Sequence, residues 1–174
     1  MNEAILSFLQ AEFSQFLIPN REIQTNLFFI TLKKEGILPV CKALKEHPNF
    51  SFSFLNDLTS VDWLGKRSPR FEVLYLLKSP KSGHNRIQIR VPIEEGEEVP
   101  SIVSVYPGAN WPEREVFDLM GITFSSHPRM ERLIMPDNFV GHPLRKDYPL
   151  EGPGQDYLIQ DLLSIHVNED IEKD

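Results

Sequence analysis

Between Phe124 and Leu150 the chain carries Pro128, Pro136, Pro143 and Pro149, two of them in His-Pro steps, His127-Pro128 and His142-Pro143. Each proline fixes φ, removes a backbone donor and pushes the residue before it towards extended geometry. Such a stretch is neither regular helix nor internal strand. It is nonetheless apolar at short intervals, at Phe124, Leu133, Ile134, Met135, Phe139, Leu144, Tyr148 and Leu150. A long irregular segment of that composition has to lie on something, either its own domain or a partner.

The chain before it is regular. Ile5, Phe8, Leu9, Phe13, Phe16 and Leu17 recur at three- and four-residue steps, predicting an amphipathic helix that Pro19 ends. Leu27–Leu32 is short, apolar and aromatic, as a buried strand is. Gly36 precedes a second helical stripe of Ile37, Val40, Cys41 and Leu44, closed by Lys45, His47 and Pro48. Phe50, Phe52 and Phe54 alternate with Ser51, Ser53 and Leu55, predicting a strand. Phe71–Lys78 is apolar on both faces, an interior strand, and Ile87, Ile89, Val91 and Ile93 form one dry face of the next. The loop Ser79–Asn85 joins these two as a hairpin. The order is α-β-β-α-β-β-β, the second strand being a strand or a turn. Consecutive strands without intervening helices mean α+β: a two-layer domain, mixed sheet with helices on one face. Residues 1–110 form this sheet domain, 111–150 a short helix plus the proline-rich segment, and 151–174 an extended tail.

Charge sharpens that division. The chain has 174 residues and a net charge of −7, and residues 150–174 hold seven acids against the single base Lys173. An acidic chain without a basic footprint is a poor nucleic-acid binder. The tail also carries Tyr157, Leu158, Ile159, Leu162, Leu163, Ile165 and Val167, which predicts a segment that orders on a partner. A single cysteine, Cys41, excludes an internal disulfide framework and an all-cysteine metal cluster. No apolar run approaches the roughly 20 residues of a membrane span. No Lys or Arg precedes Arg21, so neither a secretory signal nor a transit peptide is expected, and the protein is made where it works.

From Trp111 the residues become specific. Pro112 suits a first helical position, and Glu113 and Glu115 fall in the first turn, where carboxylates favour the positive end of the helix. Arg114 and Asp118, four apart, can pair on one face. Val116, Phe117 and Met120 make the dry face, and Gly121 is placed to close the helix at positive φ.

The run Glu113-Arg114-Glu115, Asp118-Leu119, Gly121-Ile122-Thr123-Phe124, His127-Pro128, Arg132-Leu133, Pro136-Asp137, Phe139 and Gly141 through Leu150 (GHPLRKDYPL) resembles the signature of the C-subunit family of NADH-quinone oxidoreductase. That is the hydrophilic C subunit of respiratory complex I, the 30 kDa subunit family. The resemblance implies a non-catalytic subunit of the peripheral arm, on the cytoplasmic side of a bacterial inner membrane and held there only through the complex. It implies no flavin, iron–sulfur or quinone site in this chain, the FMN and clusters lying in neighbouring subunits. It implies packing against the D subunit and near the B and I subunits, which carry iron–sulfur clusters. Relatives in hydrogenase-type and chloroplast-type complexes share the motif. The interface residues it implies are Glu113, Arg114, Glu115, Asp118, Gly121, His127, Arg132, Pro136, Phe139, Gly141, His142, Pro143, Leu144, Arg145, Lys146, Asp147 and Tyr148.

Rival chemistries read less well. His127 and His142 with Glu113, Glu115, Asp118, Asp137 and Asp147 offer ligand types for zinc or iron and a stand-alone metal-dependent hydrolase. No helical His-x-x-x-His spacing supports it, and both histidines precede proline in turns, where a ring nitrogen bonds a backbone carbonyl. Glu113 and Glu115 are two apart and face different ways, unlike an acid–base pair. Arg114 and Arg132 suit ion pairs holding helix and turns together. Cys41 sits on an apolar stripe with no base beside it. Arg145-Lys146, flanked by Asp147, is too weak for a phosphate or lipid site and suits an Arg–carboxylate contact across an interface. Met120, Leu133, Ile134 and Phe139 are expected to be exposed in the isolated chain and to make it poorly soluble.

Overall fold

The computed structural model describes residues 2–19, 28–81 and 85–150. The acidic tail 151–174, with Tyr157 and the other apolar residues picked out there, lies outside the described residues, as do Leu27 and the tip of the 79–85 loop.

The first helix, α1 (Asn2–Phe13), buries Ile5 and Leu9. It stops earlier than its stripe suggests. A 3-10 turn (Ser14–Phe16) follows, and Leu17 belongs to a two-residue strand, β1 (Leu17–Ile18). That strand pairs antiparallel with β2 (Phe29–Leu32), Leu17 opposite Leu32. Phe16 packs so tightly on Gly36 that a Cβ there would lie 2.5 Å from the Phe16 Cβ, so only glycine fits before α2 (Ile37–Glu46). Ile37, Val40, Cys41 and Leu44 are the buried stripe of α2, as their spacing predicts.

Phe50 and Phe52 are buried but are not strand. They close the end of α2: the Phe50 ring stacks on His47 with centroids 3.9 Å apart, the Phe52 N–H donates to the Leu44 carbonyl at 3.0 Å, and the Tyr106 hydroxyl donates to the Phe52 carbonyl at 2.6 Å. The strand, β3 (Phe54–Asp62), lies further on and was invisible to periodicity. It is an edge strand, its register slips between Leu55 and Asp57, and only Leu58 and Asp62 are buried. A bulge and a wet face together erase the period of two.

The sheet's centre is regular. In β4 (Phe71–Lys78) and β5 (Arg86–Ile93) the inward residues meet directly: Phe71 with Ile93, Val73 with Val91, Tyr75 with Ile89, Leu77 with Ile87. Opposed apolar pairs of this kind stabilise a sheet by roughly 0.2–1 kcal/mol each beyond burial. The strand order is β1-β2-β5-β4-β3, antiparallel except for the parallel β2–β5 contact. The sheet is therefore mixed, and the buried faces of α1 and α2 join its dry face in one core. A second, two-stranded parallel sheet pairs β6 (Glu98–Pro100) with β7 (Thr123–Ser125), a strand that begins the proline-rich segment. Between them runs α3 (Asn110–Met120), two residues longer at its start than Pro112 suggests, because the 3-10 turn Pro107–Ala109 leads directly into it. No helix among the described residues is long and apolar enough to cross a membrane.

Candidate functional site

A helix end leaves four carbonyls without intrahelical donors. In α3 every one finds a partner, and three of the four donors come from the proline-rich segment. Gly121, at φ 72°, returns its own N–H to the Phe117 carbonyl at 2.8 Å. The Asp118 carbonyl accepts from His142 Nδ1 at 2.9 Å, that of Leu119 from the Leu144 N–H at 3.0 Å, and that of Met120 from Arg145 Nε at 2.7 Å. Pro143 stands between the first two donors, in a turn that the Arg145 N–H closes on the His142 carbonyl at 3.2 Å. The same crowding excludes a side chain at Gly121, where a Cβ would lie 2.5 Å from both Arg145 and His142.

The Asp118 side chain, fully buried, organises the other half of the segment. One oxygen accepts the N–H groups of Leu133, Ile134 and Met135 at 3.0, 2.7 and 2.9 Å, and the other accepts Arg132 Nη1 at 2.6 Å. Burial alone would raise its pKa, but these four donors outweigh it and hold the carboxyl down at about 2. Arg132 reaches on to the carbonyls of Phe139 and Gly141 at 2.9 and 3.1 Å. Arg114 does not pair with Asp118, as spacing suggests. It donates to the carbonyls of Glu131 and Arg132 at 3.1 and 2.9 Å, because Asp118 turns inward and Arg114 outward. Pro136 opens the turn closed by the Phe139 N–H. Tyr148 stacks on Phe139 with centroids 6.0 Å apart and fills the space a Cβ at Gly141 (φ 88°) would need.

The end of the segment is fastened to the sheet. Asp62, at the end of β3, accepts two bonds from Arg70 at 3.1 and 2.9 Å and one from the Lys146 backbone N–H at 2.9 Å. Arg70 also pairs with Asp147 at 2.8 Å and Glu95 at 2.8 Å, and Glu95 pairs with Arg145 at 2.6 Å. The Arg70 hydrogen bonds hold the Asp62 carboxyl well below the usual carboxylate range and lower that of Asp147. The Lys146 ammonium sits 6.0 Å above the Trp63 ring. Arg145 and Asp147 thus spend their charges inside the chain, where an interface role was expected. Asp62, Arg70 and Glu95 could not be singled out in the sequence, since nothing local marks an acid in an edge strand or in an acidic turn as a partner for the strap.

Glu113 and His127 lie on the other side of α3. Glu113 falls in the first turn of α3, as expected, and it is fully buried there, accepting Ser101 Oγ at 2.6 Å and the Ile102 N–H at 2.8 Å. Burial raises its pKa despite these bonds. His127 Nε2 approaches the Asn110 carbonyl at 3.1 Å while Nδ1 accepts the Arg129 N–H at 3.0 Å, which makes the neutral ring an Nε2–H tautomer. Its Nε2 is 3.9 Å from Glu113. Burial lowers the pKa of His142, and each histidine ring meets a backbone carbonyl, His127 that of Asn110 and His142 that of Asp118. Among the described residues no three His, Cys, Asp or Glu gather as metal ligands. Cys41 is buried, and burial first, then the Glu113 charge, pushes its thiol far up. Glu115 stays exposed on α3.

The outward side of the segment is different in kind. Met120 is buried and Leu133 and Phe139 half-buried, against the expectation that all would be exposed, whereas Ile134 and Leu144 are 53% and 60% exposed. The fold and this site together define an α+β domain that bolts an irregular strap across itself and shows apolar side chains along it.

The chain matches the family model described as respiratory-chain NADH dehydrogenase, 30 Kd subunit, over residues 30–154. It is 42% identical over 156 residues to the C subunit of NADH-quinone oxidoreductase from Geobacter metallireducens, across 89% of this chain and 93% of the relative. The corresponding protein of Roseiflexus castenholzii is 42% identical over 150 residues, across 86% of this chain and 84% of the relative. Among solved structures, Nqo5 of the trypsin-resistant fragment (1-134) superposes with a TM-score of 0.60 at 28% identity, covering 74% of this chain and 99% of that one. The chain belongs to the 30 kDa subunit family of the respiratory-chain NADH dehydrogenase.

Proposed function

We propose that this chain is the C subunit in the peripheral arm of a proton-translocating NADH:quinone oxidoreductase, and that its contribution is positional. It lies on the cytoplasmic side of a bacterial inner membrane, held there through the complex. Its strap seats against the D subunit, with the iron–sulfur B and I subunits close by. Electrons pass from NADH through FMN and iron–sulfur clusters in those neighbours to quinone, and no residue of this chain touches the reacting atoms. One observation carries the reading: the charges of the strap turn inward to fasten it, while Ile134 and Leu144 turn outward. A surface built so rigidly and left apolar suits an obligate interface, which commonly exceeds about 2,000 Å².

The test is the double substitution Ile134→Asp with Leu144→Asp. Both side chains are exposed, so the melting of the free chain should move by less than about 0.5 kcal/mol. Assembled enzyme in membranes should fall steeply, with quinone reductase turnover per assembled complex unchanged. Normal assembly with collapsed turnover would instead assign chemistry to this chain.

A further inference from the structure

The sheet face turned away from the core helices carries a groove of about 330 Å³. Its lining crosses the sheet from Ile18 in β1 through Phe29 in β2, Arg90 in β5 and Glu72 in β4 to Trp63, the residue after β3. Five strands at a spacing of about 4.8 Å make it roughly 19 Å long. That length takes five or six residues of extended chain, and it is long for a compact small molecule.

The groove's polar groups do not balance. The Arg67 guanidinium stacks on Trp63 with 3.6 Å to the ring centroid and donates to Glu72, a nearly buried carboxylate, at 2.9 Å. Arg90 stacks on Phe29 at 3.9 Å, and among the described residues its donors reach only the Gln88 amide oxygen, at 3.0 and 2.8 Å. The floor therefore holds two guanidiniums and one carboxylate. Burial, with the neighbouring Arg67 charge, pulls the Arg90 pKa down against the pull of Glu72. In the wall, the Trp63 Nε1–H is buried with no acceptor among the described residues. Glu97, at the rim, is already taken by Lys34 at 2.7 Å. Glu35, also at the rim, stands in solvent, where screening weakens its hold on the half-buried Arg90. What is left unmet in the floor and wall is donor, and an unmet buried donor is costly while a charge-assisted partner is strong.

We infer that this groove seats an extended, carboxylate-bearing segment of a neighbouring subunit. An acidic side chain of that segment pairs with Arg90, and its apolar flanks lie on Phe29 and Ile18. The inference rests on the chain working inside an assembly, and it concerns a face separate from the strap.

The test uses the assembled complex. Benzoylphenylalanine is introduced at Lys33 and, separately, at Ser68, two exposed groove residues from different loops, and irradiated adducts are mapped by mass spectrometry. Both positions should label one short segment of another subunit that contains Asp or Glu. Arg90→Glu should cut that labelling at least tenfold and Arg90→Lys should keep most of it, with melting of the free chain reporting that each variant folds. Adducts confined to this chain (its own acidic tail included), adducts on a segment without acids, no adducts, or equal labelling in Arg90→Glu would each overturn the inference. A wild-type chain that purifies with no partner would sink the assembly reading; an assembled enzyme with an unlabelled groove would sink only this one.

Discussion

Asp118, on α3, fastens more of the strap than any other single side chain described above. Its carboxylate replaces water for three consecutive backbone N–H groups and neutralises Arg132, all without exposure to solvent. Removing it leaves a buried cation and three buried donors unmet, a loss of about 3–5 kcal/mol. Asp118→Ala should therefore unfold the strap and lower the denaturation midpoint of the free chain. Asp118→Asn should lose less, because an amide oxygen still serves some of the donors. Equal melting of Asp118→Ala and wild type would show that the strap does not depend on this carboxylate. The residue is easy to see in the sequence and hard to interpret there. Spacing on a helix suggests a local partner, Arg114, but the direction of the side chain from the backbone decides, and it points to Arg132, far beyond the helix.

At the scale of elements, α3 is held from both ends. Its first turn buries Glu113 against Ser101 and the Ile102 N–H, and its last turn is capped by residues 142–145. A raised pKa means that the fold penalises the charged form. The stability linked to Glu113 is thus fully present below its ordinary value and is lost as pH rises through the raised one. Glu113→Gln keeps an acceptor for the Ile102 N–H and sheds the penalty, so it should melt within about 1 kcal/mol of wild type, and on the stable side at pH 7.5. The gap should close on acidification to pH 4; a gap that widens there would reverse the assignment.

The two helical stripes of the first part were legible because each buries a single narrow face against the sheet, so 3.6-residue spacing survives into the structure. The same holds for β4 and β5, whose dry residues oppose one another across the ladder. Where a strand forms an edge with a bulge, as β3 does, or where phenylalanines cap a helix, as Phe50 and Phe52 do, burial is decided by tertiary contacts and leaves no period to read. The strap's motif was legible as a resemblance, yet the charges that fasten it, Asp62, Arg70 and Glu95, sit far away in sequence.

For the whole molecule, three of the four carboxylates with lowered pKa values among the described residues, Asp62, Asp118 and Asp147, lie on the contact between strap and domain, and the fourth, Glu97, pairs with Lys34 away from it. Groups with depressed pKa values stabilise above their ordinary range and lose that stabilisation as pH falls through the lower, folded values. Below about pH 4 the strap should loosen before the sheet does, since β4 and β5 are joined by apolar pairs that do not titrate. Hydrogen exchange followed over hours at about pH 2 should show residues 130–148 losing protection while β4 and β5 keep theirs. Simultaneous loss in both would mean that strap and sheet form one cooperative unit.

The caps on α3 arrive late along the chain. His142, Leu144 and Arg145 supply donors to carbonyls more than twenty residues earlier, and the Lys146 N–H reaches back to Asp62. Every one of these closures needs the helix and the edge of the sheet to be in place first. The strap is accordingly expected to be the last part of the protein to take shape. On the docking role proposed for the strap, recruitment becomes its own inspection: a polypeptide still short of its final form has no strap to present, and a damaged one withdraws it.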